Sequence, residues 1–341
     1  MLKKINKGVI DMERFTTHTP MGELFRLKEC QDIADYWIST DPPGQRLQDE
    51  TTLQDLKKKD PNRNIDSMCD GVNHLLDKIR QGVPVVWDFW SEEEKQRVPK
   101  KQITKLFWLP ADEKTEEKKP FVAICAGGGY TSVCSLVEAF PVARRINQLG
   151  YDAFVVSYRV GGPALLPAPM EDLAQALRFI LEKADSFGVA KENYAVAGFS
   201  AGGHLVAEWG ADNVGYAAYG LPKPAAIFPV YPVIDMDLIV KRGGGFIQTI
   251  VGDDVEKALR EYSVQNHVWK GYPPTFSVHC KDDPGVLPWH SECLQEAIRA
   301  QGIPCRMKLG ATGGHGIGEG RGSDVEGWIE EALAFWKEQW Q

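Results

Sequence analysis

Short apolar runs alternate with helix-like segments from about residue 101 to residue 341, and this alternation limits the possible folds more than any other feature. Phe121–Ala126 and Ala153–Tyr158 are nearly continuous apolar runs, as expected of strands that are buried on both faces. Ala139–Leu149 and Glu171–Lys183 have the length and pattern of helices. The alternation predicts a mostly parallel sheet covered by helices on both faces. Further strands are predicted at Ile103–Leu109, Tyr194–Ala197, Ala225–Tyr231, Thr275–Cys280 and Cys305–Leu309, and further helices at Ala201–Trp209, His290–Ala300 and Val325–Trp340.

The first hundred residues have a different, largely helical pattern. Apolar residues within Ile65–Ile79 recur mostly at spacings of three or four, which predicts an amphipathic helix. Glu23–Ile38 is predicted to form another helix, which ends at Asp41–Gly44 because proline and glycine cannot continue it. We therefore divide the chain into a helical N-terminal extension, residues 1–100, and a larger domain, residues 101–341.

The N-terminal extension carries several large aromatic rings that need a partner surface. Trp37, Trp87, Phe89 and Trp90 would expose a large apolar area if they stayed in water. One hypothesis is that the extension folds as a cap over the carboxyl edge of the sheet and shapes a pocket there. The alternatives are that the rings pack against the side of the core, or against a second subunit of a homo-oligomer.

The composition and charge of the chain indicate a globular protein and exclude some partners. Of its 341 residues, 43% are hydrophobic and 25% are charged, and the formal net charge is −8. A chain of this length and composition can bury a large core without disulfides or metals. Nucleic acids and anionic membranes attract clustered Lys and Arg, so we expect neither as a partner of this acidic chain.

The start of the chain and its cysteines indicate a cytoplasmic protein. Met1–Lys7 is basic, but no apolar run of the length found in signal peptides follows it, so neither a signal peptide nor a membrane span is predicted. The seven cysteines are scattered and form no C-x-x-C pair. We interpret them as reduced thiols in a cytosolic protein, rather than as disulfides or metal ligands.

Gly198–Gly202 reads G-x-S-x-G, with Ser200 at its centre. A predicted strand precedes the motif and a predicted helix follows it, which is the strand–turn–helix setting in which such a serine is a nucleophile. The glycines allow chain segments to approach a sharp turn closely, and the serine then lies at a helix N-terminus that favours anions. The alternative is a glycine-rich turn without chemistry.

A glycine triplet closes an earlier predicted strand and is a candidate oxyanion hole. Gly127, Gly128 and Gly129 directly follow the buried run Phe121–Ala126. Glycines let the backbone turn back and direct N–H groups at the negative charge that acyl transfer develops on a carbonyl oxygen. We assign the donors as the backbone N–H groups of Gly128, Gly129 and Ala201.

His315 is the candidate general base. It follows the predicted strand Cys305–Leu309, and flanking glycines allow its loop to approach Ser200. The other histidines fit this role poorly. His204 lies on the same helix as Ser200, and His279 lies within a strand. His290 begins a helix, and His267 lies in the segment before Tyr272–Pro274.

A carboxylate is needed to orient the histidine, and two adjacent residues are candidates. Asp282 and Asp283 both follow the predicted strand Thr275–Cys280. Neighbouring loop residues point in different directions, so only one of them is expected to reach His315 and stabilise its imidazolium form. The residues themselves leave this choice open.

In these motifs the chain resembles the esterase and lipase family of α/β-hydrolases that includes acetyl esterases and acetylxylan esterases. The resemblance covers roughly residues 101–341 and implies an α/β-hydrolase fold. In that fold the nucleophile, acid and histidine occur in this order along the chain. The match of Asp283–Val286 to the family implies that Asp283, not Asp282, is the acid. The other matching stretches are Gly127–Tyr130, Gly150–Val160, Gly198–Leu205, Tyr231–Ile234 and Gly314–Gly316.

The resemblance implies a serine carboxylic ester hydrolase that removes acetyl groups from sugars or xylo-oligosaccharides. In the cytoplasm such an enzyme would act on imported oligosaccharides, small-molecule esters, rather than on polymer. One alternative is a serine peptidase of the prolyl-oligopeptidase type, although about 100 helical residues cannot form the propeller that such enzymes usually carry. The other is a binding protein of the same fold that has lost catalysis. No cofactor is implied, and no His, Asp or Glu cluster has metal-ligand spacing.

Overall fold

The computed structural model describes residues 12–41, 47–113, 115–243 and 245–341. The basic start of the chain and most of the predicted helix end at Asp41–Gly44 lie outside the described residues. Within the described ranges, no helix combines the length and apolar character needed to cross a membrane.

The strands of the described residues form a large sheet and a small one. Strands β1 to β10 span Ser39–Thr40, Val86–Trp87, Lys105–Leu109, Val122–Cys125, Ser132–Val133, Ala153–Ser157, Ala195–Phe199, Ala226–Val230, Thr275–Cys280 and Cys305–Gly310. The large sheet has the strand order β10-β9-β8-β7-β4-β6-β3-β2. Its strands from β10 to β6 pair in parallel, and only β3 and β2 add antiparallel pairings. This arrangement confirms the predicted mostly parallel α/β fold.

Helices connect the strands and cover the sheet. Helices α1 to α14 span Met21–Arg26, Leu53–Lys59, Ile65–Arg80, Glu92–Arg97, Ser135–Glu138, Phe140–Gln148, Ala168–Glu182, Ala184–Phe187, Ala201–Glu208, Met236–Lys241, Gly245–Val251, Val255–Glu261, Trp289–Ala300 and Trp328–Lys337. Short 3-10 helices lie at Lys28–Cys30, Pro99–Ile103, Tyr216–Tyr219 and Val264–His267. All residues of the central strands β4, β6 and β7 are buried, which explains why their sequences are apolar without alternation.

The N-terminal segment is joined to the sheet. Strand β2, with Val86 and Trp87, pairs with Leu106 and Phe107 of β3 and forms one sheet edge. Helix α3 packs along α6, and Gly71 lies where the two backbones are closest. The segment is therefore helical, as predicted, but it also supplies a strand that is too short to show a pattern.

The aromatic rings of this segment pack against the side of the core. This packing corresponds to one of the alternatives to the cap hypothesis. The ring of Trp37 lies 5.2 Å from that of Phe140 on α6, and Trp87 lies 5.2 Å from Phe187 on α8. These two contacts are with helices of the core, and the cap hypothesis itself stays a prediction. Parts of the segment come near the carboxyl edge. Strand β1 pairs with β5, which follows the glycine triplet, and a Cβ on Gly314 would lie 2.7 Å from Nδ2 of Asn62.

The predicted helix over Glu23–Ile38 is wrong. The helix ends at Arg26, and the backbone of Leu27 is extended, with φ −58° and ψ 139°. The 3-10 turn of Lys28–Cys30 and further turns follow. Leu27 and Trp37 are both buried, so burial here is achieved without a continuous helix.

Gly71→Ala should destabilise the protein by about 1–2 kcal/mol, because a Cβ there would lie 2.7 Å from the Pro141 nitrogen and 2.9 Å from the Phe140 carbonyl carbon. Helix propensity alone would predict stabilisation by about 0.8–1 kcal/mol. The free energy of unfolding from urea titration decides between the two signs. Asp66→Ala, at an exposed position of the same helix, should change it by less than about 0.5 kcal/mol. A more stable Gly71→Ala protein would contradict the close packing of α3 on α6.

Candidate active site

Ser200 occupies the sharp turn between β7 and α9. Its backbone has φ 53° and ψ −116°, a left-handed conformation that costs a non-glycine residue about 1–3 kcal/mol. The turn is held from both sides, because the Ser200 N–H donates to the Val230 carbonyl (3.0 Å) and the Ser200 carbonyl accepts from the His204 N–H (2.9 Å). The strained turn directs the side chain out of the carboxyl end of the sheet.

The motif glycines next to Ser200 are required by close backbone approach. A Cβ on Gly202 would lie 2.2 Å from the Cys125 carbonyl oxygen, and one on Gly198 would lie 2.1 Å from the Gly202 carbonyl oxygen. Both contacts are with backbone atoms that cannot move away easily. These two contacts explain why small residues flank the serine.

A continuous hydrogen-bonded chain links Ser200, His315 and Asp283. The Oγ of Ser200 lies 2.9 Å from Nε2 of His315, and Nδ1 of His315 lies 2.7 Å from Oδ2 of Asp283. A carboxylate can only accept, so Nδ1 carries the proton and Nε2 is left to accept from the serine hydroxyl. The structure thus brings together the three residues that the sequence singled out.

The two adjacent aspartates have different partners. Oδ1 of Asp283 accepts from the backbone N–H groups of Gly285 (2.8 Å) and Val286 (2.9 Å), which leaves Oδ2 for His315. Asp282 instead accepts from the N–H groups of Gly313 (3.2 Å) and Gly314 (2.8 Å) and so holds the loop that carries the histidine.

The charges of this pair favour the ionised form of both partners. Burial alone would raise the pKa of Asp283, but hydrogen bonds from His279 and His315 outweigh it and hold that pKa well below its usual range. Burial also opposes protonation of His315. The hydrogen bond and charge of Asp283, with the charge of Glu138, outweigh burial and raise the pKa of His315 above the ordinary value.

The glycine triplet lies directly against the serine turn. A Cβ on Gly127 would lie 2.8 Å from the Ser200 Cβ. Gly128 and Gly129 have φ values of 135° and 62°, which glycine adopts readily. In the described part of the chain, the backbone N–H groups of Gly128, Gly129 and Ala201 have no protein acceptor. These three groups are therefore available to an anion beside Ser200.

Comparison with known proteins assigns the chain to a family. The model of the BD-FAE family matches residues 107–298, more than half of the chain. The chain belongs to the BD-FAE family. This is a family of α/β-hydrolase esterases, and the matched range includes Ser200 and Asp283.

Three similar proteins illustrate how far the likeness of this BD-FAE chain extends. The endo-1,4-β-xylanase B of Butyrivibrio fibrisolvens is 26% identical over 222 residues, which are 62% of this chain and 34% of that protein. The acetylxylan esterase of Xylanibacter ruminicola is 26% identical over 215 residues, 62% of this chain and 43% of that protein. The chain therefore covers less than half the length of either relative. The crystal structure of an acetyl ester-xyloside bifunctional hydrolase from Caldicellulosiruptor lactoaceticus has a TM-score of 0.63 at 26% identity, covering 74% of this chain and 95% of that one.

The other histidines discussed above have partners away from Ser200 in this BD-FAE structure. Nδ1 of His204 lies 2.9 Å from the Tyr130 hydroxyl, and burial lowers the pKa of His204 to about 4. His279 bonds Ser291 and the Val286 carbonyl, and its Nε2 also lies 3.4 Å from Oδ2 of Asp283. His290 accepts from backbone N–H groups, and His267 bonds Asp212. Among the described residues, no group of three or more His, Cys, Asp or Glu side chains has the arrangement of a metal site.

Sequence reasoning missed two residues that border the BD-FAE site. Glu138 is buried and bonds Gly127 of the glycine triplet, while Tyr231 packs its ring 4.6 Å from that of His315. A carboxylate within the apolar run Leu136–Phe140 was the available signal for Glu138. Tyr231 appeared only as part of a family-like stretch, without a role.

Asp283→Asn should lower the pKa of His315, because it removes the negative charge that favours the imidazolium form. Asp282→Asn should lower it much less, because Asp282 contacts the loop backbone and not the ring. The measurement is an NMR titration of the His315 ring signals, assigned by their absence from a His315→Gln protein. A larger shift in the Asp282→Asn protein would transfer the orienting contact to Asp282.

Proposed function

We propose that this chain is a serine carboxylic ester hydrolase that releases short acyl groups, such as acetyl, from carbohydrate esters through an acyl-enzyme. The observation that carries the proposal is the hydrogen-bonded chain from Ser200 through His315 to Asp283 at the carboxyl edge of the sheet. Membership of an esterase family supports the same reaction class.

In the first half of the proposed reaction, Ser200 Oγ attacks the ester carbonyl carbon and its proton passes to Nε2 of His315. Asp283 stabilises the imidazolium that forms. The N–H groups of Gly128, Gly129 and Ala201 receive the negative carbonyl oxygen, and fixed donors of this kind contribute several kcal/mol to transition-state stabilisation. The tetrahedral intermediate collapses, the alcohol leaves with the proton from His315, and the acyl group stays on Ser200.

In the second half, water repeats the attack on the acyl-enzyme. His315 takes a proton from the water, the carbonyl oxygen again becomes negative in the same donor pocket, and Ser200 leaves with the proton returned by His315. The products are a carboxylic acid and the free enzyme. The same residues therefore serve both halves, as a single site of this geometry allows.

A carbohydrate as the alcohol part of the ester is supported by the relatives and by one surface residue. Two of the similar proteins are named as an acetylxylan esterase and an acetyl ester-xyloside hydrolase. Trp289, at 46% exposure, is the only exposed tryptophan among the described residues. It begins α13, just after the loop that carries Asp283, and its Nε1–H donates to Asp235 (3.3 Å), which holds the ring in place. A fixed, exposed indole suits the apolar C–H face of a sugar ring.

Free cysteines suit the reducing conditions of the cytoplasm, so we propose that the protein is cytoplasmic. An esterase there would meet imported acetylated oligosaccharides, which we propose as its substrates. All seven cysteines are free thiols.

A peptidase of the prolyl-oligopeptidase type is less favoured, because residues 12–41 and 47–100 contain two strands of two residues each, and not the four-stranded blades of a propeller.

Ser200→Ala should reduce hydrolysis of p-nitrophenyl acetate by several orders of magnitude, because the nucleophile is removed while the donors remain. The variant should also lose labelling by a fluorophosphonate probe that reacts with activated serines. Initial rates and probe labelling measure the two effects. Ser186→Ala, at an exposed position on α8, serves as the control and should keep both.

More than a few per cent of activity in purified Ser200→Ala would contradict the assignment of the nucleophile. A wild-type protein that neither hydrolyses esters nor reacts with the probe would instead favour the alternative of a non-catalytic binding protein.

Trp289→Ala should lower kcat/KM for acetylated xylo-oligosaccharides about tenfold and leave p-nitrophenyl acetate hydrolysis unchanged, because only the sugar would stack on the indole; a tenfold effect corresponds to about 1.4 kcal/mol. Trp289→Phe keeps a flat ring and should recover part of the loss. Steady-state kinetics on both substrates provide the comparison. Equal kinetics of the Trp289→Ala and wild-type enzymes on the oligosaccharide would remove Trp289 from the sugar site.

A further inference from the structure

A second buried carboxylate lies beside the hydrogen-bonded chain of Ser200, His315 and Asp283. Glu138 ends the short helix α5 and is only 4% exposed. A buried carboxylate is costly unless it is well hydrogen-bonded, so its partners indicate why it is there. The proposed reaction steps assign it no role.

The first partner of Glu138 is the glycine triplet. Its Oε2 accepts from the Gly127 N–H at 2.5 Å. The bond holds the peptide between Ala126 and Gly127, which lies one residue before Gly128. It also occupies the one N–H of the triplet that the proposed oxyanion hole does not use. Glu138 thus determines the direction in which the glycine loop leaves β4.

The second partner of Glu138 is Tyr231, whose ring packs on His315. Its Oε1 accepts from the Tyr231 hydroxyl at 3.0 Å. Tyr231 directly follows β8, has a positive φ of 37°, and donates its N–H to the Val278 carbonyl (2.7 Å). Its ring centroid lies 4.6 Å from that of His315, at 55° between the ring planes. The imidazole therefore packs on a ring whose far end is held by Glu138.

The charge of Glu138 also acts on the histidine. Burial raises the pKa of Glu138, while His315, the Gly127 and Tyr231 hydrogen bonds and Arg63 oppose that rise. Among the described residues, Cys134 and Tyr158 also interact electrostatically with Glu138, and the charge of Asp60 also favours the imidazolium form of His315. The attraction is mutual, and the charge of Glu138 favours the imidazolium form of His315 after that of Asp283.

We propose that Glu138 is a positioning residue for the ester hydrolysis described above, acting through Gly127 on the oxyanion loop and through Tyr231 on His315. The proposal rests on the proposed function and adds a connection between two parts of the site. A single side chain keeps the anion donors and the general base at a fixed separation.

The test uses Glu138→Gln, Tyr231→Phe and the double variant in the full-length protein, with p-nitrophenyl acetate as substrate. Glu138→Gln keeps the shape but removes the charge, and Tyr231→Phe keeps the ring but removes the link. Each single variant should lower kcat about tenfold with KM within twofold of wild type. The double variant should lose little more than either single one, since both break the same connection. Active-site titration with the fluorophosphonate probe corrects for unfolded protein.

A pH profile separates positioning from a merely structural role. Glu138→Gln should move the acidic limb of the kcat/KM profile to lower pH, because the neutral form of His315 persists to lower pH without the nearby carboxylate. Tyr231→Phe keeps the charge and should leave that limb within about 0.3 pH units of wild type. The NMR-measured pKa of His315 should follow the same order, and it gives a readout that does not depend on turnover.

Glu208→Gln is a matched control, because Glu208 is also a buried glutamate, and neither of its carboxylate oxygens makes a hydrogen bond with the described residues. It should leave kcat and the pH profile unchanged. Wild-type kcat and pH profile in Glu138→Gln would overturn the proposal, as would a loss of thermal stability with unchanged kcat per titrated site. If Glu138→Gln does not fold, unchanged kcat in Tyr231→Phe overturns it equally. An inactive wild-type enzyme would instead reject the proposed function.

Discussion

The left-handed backbone at Ser200 is the constraint on which the rest of the site depends. It places the serine side chain at the point where β7 becomes α9, and it can persist only because the sheet and the helix hold both ends of the turn. The N–H of Ser200 is bonded to Val230 of the neighbouring strand, so the turn is fixed by the pairing of β7 with β8. The core of the sheet is therefore what keeps this residue strained.

Parallel pairing brings the remaining groups to the same place. Five neighbouring or near-neighbouring strands end at one edge, and each is followed by one contributor: Gly127 after β4, Ser200 after β7, Tyr231 after β8, Asp283 after β9 and His315 after β10. Residues that are far apart in sequence meet because successive strands of a parallel sheet present the same end. The loops after these strands then bring the side chains into contact.

This edge could be predicted because β4, β7, β8 and β9 are strongly apolar, although β10 carries Arg306 and Lys308. The choice between Asp282 and Asp283 could not be made from the residues alone, since both follow β9 and differ only in which way the loop turns. Glu138 was missed for a different reason. Its partners lie 11 and 93 residues away, so its place in an apolar run does not reveal what it binds.

The N-terminal segment shows the limit of pattern reasoning more clearly. Glu23–Ile38 was predicted as one helix, but the helix ends at Arg26 and a 3-10 turn and further turns follow it. Strand β2 has two residues, fewer than any periodicity needs. Both elements obtain their structure from the surface they pack on, so their conformations follow from tertiary contacts rather than from local preference.

The two ends of the large sheet differ in how they are protected from pairing with other chains. At one end the N-terminal segment supplies a terminal strand, β2, that offers only two residues for pairing. At the other end β10 carries Arg306 and Lys308, which form ion pairs with Glu338 and Glu331 near or within α14. Very short edge strands and charged side chains are both features that discourage strand addition. By pairing with β3, the N-terminal segment thus covers an edge that β3 would otherwise leave open to another strand.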